Sequence, residues 1–282
     1  MEAGQGAYVV VGDMTMAREY AGAFQRAGLT SLDAFLRHSA SQSLGKPGLP
    51  SWRERVRVEL DGTGGGERVV YVKRFRRPPI GAQWGRVVQG VVRHGTAWIE
   101  WHWMRRLAAD GIATATPVAF GERMRGAREE ASVLVSAAVP GVSLESWVRD
   151  RTSRCPRVLV TQLAEFVGRF HGRGYVHRDL YLSHVFFDER SGELRLIDLQ
   201  RVMRPRWRRV RWQIKDLAAL DYSTPRSAAT STDRVRFLRR YLGLRRLGES
   251  GRRLVRRVRA KSMNIARHDQ RRRARLFVER VN

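Results

Sequence analysis

The stretch that decides the fold is His177-Arg178-Asp179-Leu180-Tyr181-Leu182-Ser183-His184, followed by Leu196-Ile197-Asp198-Leu199-Gln200. The first part comes after an apolar helical pattern, so we expect it to be a loop, and Asp198 should end a strand. A hairpin turning at residues 190–192 would bring Asp179 and Asp198 to the same end of a small sheet. Phosphoryl transfer needs one carboxylate to accept the hydroxyl proton and another to hold Mg²⁺ on the phosphates. Either aspartate alone could simply cap a turn or end a strand, but together they predict phosphoryl transfer.

Lys73 and Glu100 form a second candidate pair. Lys73 lies in the middle of the predicted strand Val70-Tyr71-Val72-Lys73, and Glu100 lies on the apolar face of a helix predicted over residues 96–110. A carboxylate on an apolar face is costly unless a cation meets it. We therefore expect the Lys73 ammonium to bridge Glu100 and the nucleotide phosphates. The alternative is an exposed strand lysine and a glutamate at the edge of the helix.

A glycine-rich segment joins the two predicted strands of the first hairpin. It reads Gly62-Thr63-Gly64-Gly65-Gly66, and the N–H groups of Gly62, Gly64 and Gly65 could cover phosphates. The segment is not a complete G-x-G-x-x-G motif, and a flexible hairpin tip would have the same composition. Both interpretations stay open.

The order of predicted elements indicates two lobes. Helices are expected over residues 13–27, with Asp13 as N-cap, and over residues 31–37. Strands are expected near residues 56–60, 69–75, 116–120 and 132–139, and helices again over most of the chain after Pro140-Gly141. The predicted fold class is α+β, with a small antiparallel-sheet lobe carrying one main helix over residues 1–139 and a mainly helical lobe over residues 140–282.

The net charge and the cysteine content limit the possible binding partners and the cellular compartment of the protein. The net charge of +27 implies a polyanionic partner, which could be nucleic acid, an anionic membrane or a phosphorylated substrate. From Pro140 onward the basic surplus is 21, against 6 before it. The single cysteine, Cys155, excludes an internal disulfide framework, and neither a spanning apolar run nor a basic signal segment is present, so a cytoplasmic protein is expected.

The segment between Asp198 and Lys215 has an unusual composition. It has no Ser, Thr or Tyr, which excludes a phosphorylation switch within it. It carries six arginines and two tryptophans, namely Arg201, Arg204, Arg206, Arg208, Arg209, Arg211, Trp207 and Trp212. Arginine suits bidentate phosphate contacts and tryptophan suits a membrane interface or a sugar face, so Arg206, Arg208 and Arg209 are candidate substrate-binding residues. A solvated basic loop is the alternative.

The set resembles the Kdo/WaaP lipopolysaccharide kinase family, which has a protein-kinase-like fold. The residues that carry the resemblance are Val72-Lys73-Arg74-Phe75, Glu100, Leu107, Gly111-Ile112-Ala113-Thr114, His177-Arg178-Asp179-Leu180-Tyr181, His184, Ile197-Asp198-Leu199-Gln200-Arg201 and Lys215-Asp216-Leu217-Ala218-Ala219-Leu220. The resemblance implies that Asp179 is the catalytic base, that Asp198 binds Mg²⁺, and that Lys73 with Glu100 positions the phosphates. Asp216 would brace the catalytic loop through backbone N–H groups, and His177 would anchor it.

Three positions depart from ordinary protein kinases. His184 stands where an asparagine is usual, and it could ligate metal through a neutral ring nitrogen or only shape the loop. Tyr71 stands where a small alanine usually faces adenine. The expected hinge around Ala138 has no acidic side chain, so only backbone groups there are left to pair with adenine.

The predicted function is therefore an ATP- and Mg²⁺-dependent kinase that phosphorylates a heptose or Kdo hydroxyl of the lipopolysaccharide inner core. Its expected partners are the lipid A–core precursor and an anionic membrane surface, at the inner face of the inner membrane. A basic nucleic-acid-binding protein on a degenerate kinase scaffold is one alternative. It would leave four candidate residues without a chemical role, namely Lys73, Glu100, Asp179 and Asp198. An atypical bacterial protein kinase is the other alternative.

Overall fold

The computed structural model describes residues 7–39, 42–44, 50–61, 67–88, 90–151 and 154–281. The chain forms two compact units, Met1–Val139 and Pro140–Asn282. The boundary falls at the Pro140-Gly141 dipeptide, where the sequence predicts a break between lobes.

The N-terminal unit contains a seven-stranded antiparallel sheet and four described helices. Its elements are β1 (Tyr8–Val11), β2 (Met14–Ala17), α1 (Arg18–Arg26), α2 (Leu32–Arg37), β3 (Gln42–Ser43), β4 (Arg53–Asp61), β5 (Glu67–Arg76), α3 (Ile80–Val88), α4 (Thr96–Ala109), β6 (Pro117–Arg125) and β7 (Arg128–Ala137). The sheet order is β1-β2-β6-β7-β5-β4-β3. Between β4 and β5 the residues pair in register, with Arg55 opposite Lys73 and Val56 opposite Val72.

Alternation along β4 and β5 decides which face of the sheet is buried. Val56, Val58 and Val72 point into a core that also receives Phe24 of α1 and Phe35 of α2. Lys73, which directly follows Val72, points to the opposite face, because successive side chains of a strand point to alternate faces of the sheet. This alternation aims Lys73 at the face on which α4 packs.

The prediction of one helix over residues 13–27 is wrong for its first part. Residues Met14–Ala17 form a strand that pairs with β6, and α1 begins only at Arg18. The apolar residues Met14 and Met16 are buried by this long-range pairing, which local helical spacing does not reveal. Asp13 does not cap its own helix, since its carboxylate accepts a hydrogen bond from the N–H of Leu32 at 2.7 Å.

The C-terminal unit is mainly helical. Its elements are β8 (Val142–Ser143), α5 (Leu144–Arg149), α6 (Arg157–Gly172), a 3₁₀ turn (Leu182–His184), β9 (Val185–Asp188), β10 (Glu193–Leu196), a second 3₁₀ turn (Leu199–Arg201), α7 (Arg209–Ser223), α8 (Ser231–Tyr241) and α9 (Glu249–Val281). The three strands form a small antiparallel sheet in the order β10-β9-β8. At Gly141, with φ of 81°, a Cβ atom would lie 2.1 Å from the carbonyl oxygen of Phe187, so only glycine fits beside this sheet.

Two further observations bear on membrane contact and on the arginine-rich segment. None of the helices in the described ranges is both long enough and apolar enough to cross a membrane. Helix α7 begins at Arg209, six residues before the helix start predicted at Lys215. The second half of the arginine-rich segment is therefore helical, and only its first half is a loop.

Candidate active site

The catalytic-loop candidate, residues 177–184, lies between α6 and β9 and is held by a buried carboxylate. Asp216 of α7 is fully buried and accepts hydrogen bonds from the backbone N–H groups of His177 and Arg178, both at 2.7 Å. Arg178 has a φ of 71°, a left-handed conformation that is strained for a residue with a side chain. The two hydrogen bonds that Asp216 accepts compensate for this strain and fix the start of the loop.

A buried polar chain supports Asp216 from the other side. The Nε2–H of His171 donates to the Asp216 carboxylate at 3.2 Å, and its Nδ1 accepts from the hydroxyl of Tyr241 at 2.9 Å. Burial raises the pKa of the Tyr241 hydroxyl well above its usual value, so this hydroxyl stays protonated and can donate. Nothing in the sequence spacing predicts that α6, α7 and α8 meet at this chain.

His177 links the loop to the segment that carries Asp198. Its ring is fully buried, and its Nε2–H donates to the carbonyl of Ile197 at 3.1 Å. Burial lowers the pKa of the His177 imidazole, because the charged form would lose its solvation. The neutral, buried ring therefore acts as an anchor that sets the position of Asp198 relative to Asp179.

Two cations approach the carboxylate of Asp179. Nη1 of Arg201 lies 2.8 Å from Oδ1, and Nζ of Lys215 lies 3.8 Å from the same oxygen. Burial lowers the pKa of the Lys215 ammonium against the opposing effect of Asp179, and the nearby charges of Arg201 and Arg178 lower it further. Sequence reasoning did not place either cation at Asp179; the available signal was their position in the motifs that begin at Ile197 and Lys215.

Asp198 and His184 lie side by side on the same end of the small sheet. Nε2 of His184 is 3.8 Å from Oδ2 of Asp198, and Nδ1 of His184 is 2.8 Å from the carbonyl oxygen of Asp179. Because a carbonyl oxygen can only accept, Nδ1 carries the proton, and in the neutral ring Nε2 presents a lone pair toward Asp198. A neutral His184 could therefore share a cation with Asp198, whereas a protonated His184 would form an ion pair with Asp198.

The donor set fits Mg²⁺ in part. A carboxylate oxygen such as that of Asp198 is the ligand type that Mg²⁺ prefers, whereas an imidazole nitrogen such as that of His184 suits Zn²⁺ and other transition metals better. Within the part of the chain that the structure describes, no group of three or more His, Cys, Asp or Glu side chains is placed to hold a metal. Asp198 would hold Mg²⁺, with His184 as the second candidate ligand, and phosphate oxygens and water could complete the coordination.

In the N-terminal unit, the predicted ion pair between Lys73 and Glu100 is present. Nζ of Lys73 lies 2.7 Å and 2.6 Å from the two carboxylate oxygens. The side chain of Glu100 is only 1% exposed, and that of Lys73 is 16% exposed. The pair joins β5 to α4 and leaves the ammonium at the edge of the solvent, where it could also contact an anion.

Strand carboxylates fix the N-terminus of α4 and therefore the position of Glu100. Glu129 is fully buried and accepts hydrogen bonds from the N–H of Thr96 at 2.8 Å and from its hydroxyl at 2.6 Å. Nε of the buried Arg86 lies 3.7 Å from Glu129 and balances its charge. Glu122 accepts from the N–H of Gly95 at 2.6 Å. These carboxylates cap the helix and also complement its dipole, a role that sequence reasoning missed.

The nucleotide-binding predictions fall on three places. The glycines Gly62, Gly64 and Gly65 lie outside the described residues. The N–H of Ala138 donates to the carbonyl of Val69 at 3.0 Å and is thus already engaged within the N-terminal unit, and a contact between Ala138 and adenine remains a prediction. Tyr71 lies two residues before Lys73 on the same face of β5 and is partly exposed.

The three candidate substrate-binding arginines differ in their surroundings. The side chains of Arg206 and Arg208 are exposed, as is the ring of Trp207, which is 83% exposed. Arg209 is half-buried and donates to the carbonyl oxygens of His171 and Gly172, at the C-terminal end of α6. Arg209 therefore caps a helix, and the contact with a substrate predicted for it would have to replace these hydrogen bonds.

Comparison with known proteins gives the family. Residues 52–241 match the Lipopolysaccharide kinase (Kdo/WaaP) family. The chain is 34% identical over 205 residues to the lipopolysaccharide core heptose(I) kinase WaaP of Pseudomonas aeruginosa, an alignment that covers 67% of this chain and 73% of that protein. It is 33% identical over 158 residues to the protein of the same name from Escherichia coli K12, covering 51% of this chain and 59% of the relative.

A solved structure agrees with the sequence comparison. The structure titled "WaaP in complex with acyl carrier protein" is similar to this chain with a TM-score of 0.63 and 30% identity, over 88% of this chain and 95% of that one. The predicted kinase-like α+β fold is thereby confirmed. The chain belongs to the lipopolysaccharide kinase (Kdo/WaaP) family and is a phosphotransferase.

Proposed function

We propose that this protein transfers the γ-phosphate of ATP to a heptose hydroxyl of the lipopolysaccharide inner core. The observation that carries the proposal is the Asp179 carboxylate, which is partly exposed on a loop that Asp216 braces through two 2.7 Å hydrogen bonds. A general base must be held within hydrogen-bond reach of the hydroxyl that it deprotonates. The choice of heptose over Kdo rests on the names of the relatives from Pseudomonas aeruginosa and Escherichia coli.

Each residue then has one chemical task. The acceptor oxygen forms a bond to the γ-phosphorus of ATP, the bond from that phosphorus to the bridging oxygen breaks, and ADP leaves. Asp179 takes the proton of the acceptor hydroxyl, and Lys73, held by Glu100, balances phosphate charge. Asp198 would hold Mg²⁺, which when bound would supply charge neutralisation on the phosphate oxygens.

Charge supports an acceptor at an anionic membrane. The basic surplus is concentrated after Pro140, and the exposed Arg206, Trp207 and Arg208 lie in the loop between Asp198 and α7. Arginine and tryptophan side chains favour the interface of an anionic bilayer. The protein is therefore proposed to work at the inner face of the inner membrane, on the lipid A–core precursor.

The solved relative suggests one protein partner. Because that structure is titled as a complex with acyl carrier protein, we propose that this chain also binds an acyl carrier protein. Affinity purification of the tagged chain, followed by intact-mass measurement of small co-purifying proteins, tests this binding.

The two alternatives make different demands. A nucleic-acid-binding protein on a degenerate scaffold would not need the Lys73–Glu100 pair or the braced Asp179. An atypical protein kinase would need to bind a polypeptide acceptor. The arginine- and tryptophan-rich loop is better suited to binding an anionic glycolipid than to binding a polypeptide.

Transfer assays separate these functions. Core oligosaccharide is first purified from cells with and without the gene, and its mass is expected to differ by one phosphate. The purified wild-type protein should then restore that phosphate from ATP and Mg²⁺, while Asp179→Asn and Asp198→Asn, with unchanged circular dichroism, should each lose at least about 10²-fold in rate. Near wild-type turnover in both variants, or transfer to protein instead of the glycolipid, would contradict the proposal.

A further inference from the structure

A cleft between α7 and α9, within the C-terminal unit, lies beside Asp179. Its volume is about 170 Å³, more than ten times the ~15 Å³ that holds one water molecule. Its lining residues are Arg211, Trp212, Ile214, Lys215, Arg257 and Lys261. The cleft is therefore large enough for a phosphate or carboxylate group together with part of the molecule that carries it.

The cleft collects more positive than negative charge, since of its four cations only Lys215 has a carboxylate, that of Asp179, at ion-pair distance in the described part of the chain. Four of its six lining side chains are cationic and none is acidic. Across the described part of the chain, no carboxylate oxygen lies within ion-pair distance of Arg211, Arg257 or Lys261, although Arg211 stacks on the ring of Trp212 at 5.6 Å. Like charges that converge on one cleft repel one another, and a bound anion removes that repulsion.

Lys215 connects the cleft to the catalytic base. It lines the cleft, and its Nζ lies 3.8 Å from Oδ1 of Asp179. A charge-assisted hydrogen bond to an anion adds about 2.8 Å, so an anion bound to Lys215 lies no more than about 7 Å from that oxygen. An acceptor hydroxyl on Asp179 and an anionic group in the cleft can therefore belong to the same sugar or to adjoining sugars.

We propose that the α7–α9 cleft binds an anionic group of the acceptor, a phosphate or a carboxylate, within about 7 Å of Asp179. This inference rests on the proposed function and adds the feature of the substrate that the site recognises. The arginines offer planar forks that match either anion. The guanidinium groups of Arg178 and Arg211 stack on the ring of Trp212 at 5.1 Å and 5.6 Å, which holds positive charge at the wall of the cleft. A volume of about 170 Å³ fits one anionic group and part of its sugar better than an extended polyanion.

The test removes the two cations that α9 contributes to the cleft, Arg257 and Lys261. The double variant Arg257→Gln with Lys261→Gln is compared with Arg256→Gln with Arg259→Gln, which removes two charges from exposed positions of the same helix outside the cleft lining. The acceptor is glycolipid from cells that lack the gene, used intact, after removal of phosphates with hydrofluoric acid, or after reduction of carboxylates.

For each variant we measure KM for acceptor and for ATP, and also equilibrium binding of the fluorescently labelled intact glycolipid in nonionic micelles. The cleft variant should raise the acceptor KM and the acceptor Kd at least tenfold, and should change kcat and the ATP KM less than twofold. The control variant should change the acceptor KM and Kd by no more than twofold. One of the two chemical treatments should raise the acceptor KM and Kd of the wild type. The same treatment should raise those of the cleft variant little further, because the cleft that binds the removed group is already disrupted. That treatment identifies phosphate or carboxylate as the bound group.

The outcomes separate this inference from the proposed function. Equal effects of the cleft and control variants on glycolipid binding, or a wild type that is indifferent to both treatments, would overturn the cleft assignment even if phosphate transfer is robust. A wild type that binds the glycolipid through the cleft but transfers no phosphate from ATP would overturn the proposed reaction and leave the anion site standing.

Discussion

Nη1 of Arg201 lies 2.8 Å from Oδ1 and 3.0 Å from Oδ2 of Asp179, so one guanidinium nitrogen bridges both oxygens of the proposed base. Arg201 comes three residues after Asp198, in the second 3₁₀ turn. The contact therefore ties the proposed base to the segment of the proposed metal ligand. It fixes the rotation of the carboxylate, and with it the direction in which Asp179 can accept a proton.

The first prediction concerns this contact. Arg201→Gln should lower kcat about tenfold, because a freely rotating carboxylate is less often aligned with the acceptor, a loss equivalent to about 1.4 kcal/mol in barrier. The free energy of unfolding should change by less than about 1 kcal/mol, since Arg201 is 49% exposed in this pair. Arg190→Gln, which removes a charge at the exposed turn of the β9–β10 hairpin, is the control and should leave kcat unchanged. An unaltered kcat in Arg201→Gln would show that the contact does not position the base.

The second prediction concerns the buried pair of the N-terminal unit. Lys73→Met should abolish transfer and lower the free energy of unfolding by about 3 kcal/mol or more, because it leaves Glu100 buried without the ammonium. The double variant Lys73→Met with Glu100→Leu should recover most of that stability and none of the activity, because an apolar pair can replace a buried ion pair in packing but not in phosphate contact.

Urea unfolding and transfer assays on the same preparations check both parts. A double variant as unstable as the single one would mean that Glu100 is not the source of the destabilisation. Transfer by either variant at the wild-type rate would remove Lys73 from the proposed site.

The third prediction concerns the exposed arginines of the loop before α7. Arg206→Gln with Arg208→Gln should raise the acceptor KM about 30-fold at low ionic strength, since each basic residue near an anionic surface contributes about 1 kcal/mol. The ATP KM should stay within twofold. The difference from the wild type should shrink as salt is added, because exposed charges are screened.

The control for this variant is Arg245→Gln with Arg246→Gln, two exposed positions in the connection between α8 and α9. An equal rise in KM for both pairs would indicate a general effect of net charge and no local docking role. Arg209 is left intact in these variants because its hydrogen bonds to the carbonyls of His171 and Gly172 would add a loss of stability.

The fourth prediction concerns pH. The usual pKa of histidine is 6.5, and burial lowers the pKa of His177 in the folded state below it. Below pH 6.5 the unfolded chain therefore binds a proton at His177 that the folded chain does not bind. The free energy of unfolding should fall as the pH drops from 6.5 toward the lowered pKa of His177 in the folded state. The contribution can reach about 1.4 kcal/mol per pH unit for each such group.

Urea unfolding between pH 7.5 and pH 5 measures this dependence, and His177→Gln should make it less steep. The slope should not vanish, because burial also lowers the pKa of His38 and His102. An unchanged slope in His177→Gln would mean that this ring is not the group that titrates. Carboxylates whose pKa is lowered, such as Glu54 and Asp233, act with the same sign at still lower pH.

The residues to which we assign direct chemical tasks could be singled out from the sequence because their signals are local, and their roles remain proposals. The spacing of Asp179, His184 and Asp198 around one hairpin is a property of a short piece of chain, and strand alternation alone aims Lys73 at the helix that carries Glu100. The order of a sheet lobe followed by a helical lobe is likewise visible in periodicity and in the Pro140-Gly141 break. These features do not depend on how distant segments pack.

Packing between distant segments decided the rest. The strand at Met14–Ala17 exists because it pairs with β6, more than a hundred residues later. Lys215 reaches Asp179 because α7 packs beside the catalytic loop, and Arg257 and Lys261 join Lys215 because α9 packs along α7. The hydrophobic periodicity of a single segment does not predict such tertiary contacts, because they depend on which apolar faces of distant segments pack together. The sequence alone thus singled out Asp179 as the proposed base and Lys73 as the proposed phosphate-binding residue, whereas the tertiary structure decided that Arg201 and Lys215 surround Asp179 and where we propose that an anionic acceptor group binds.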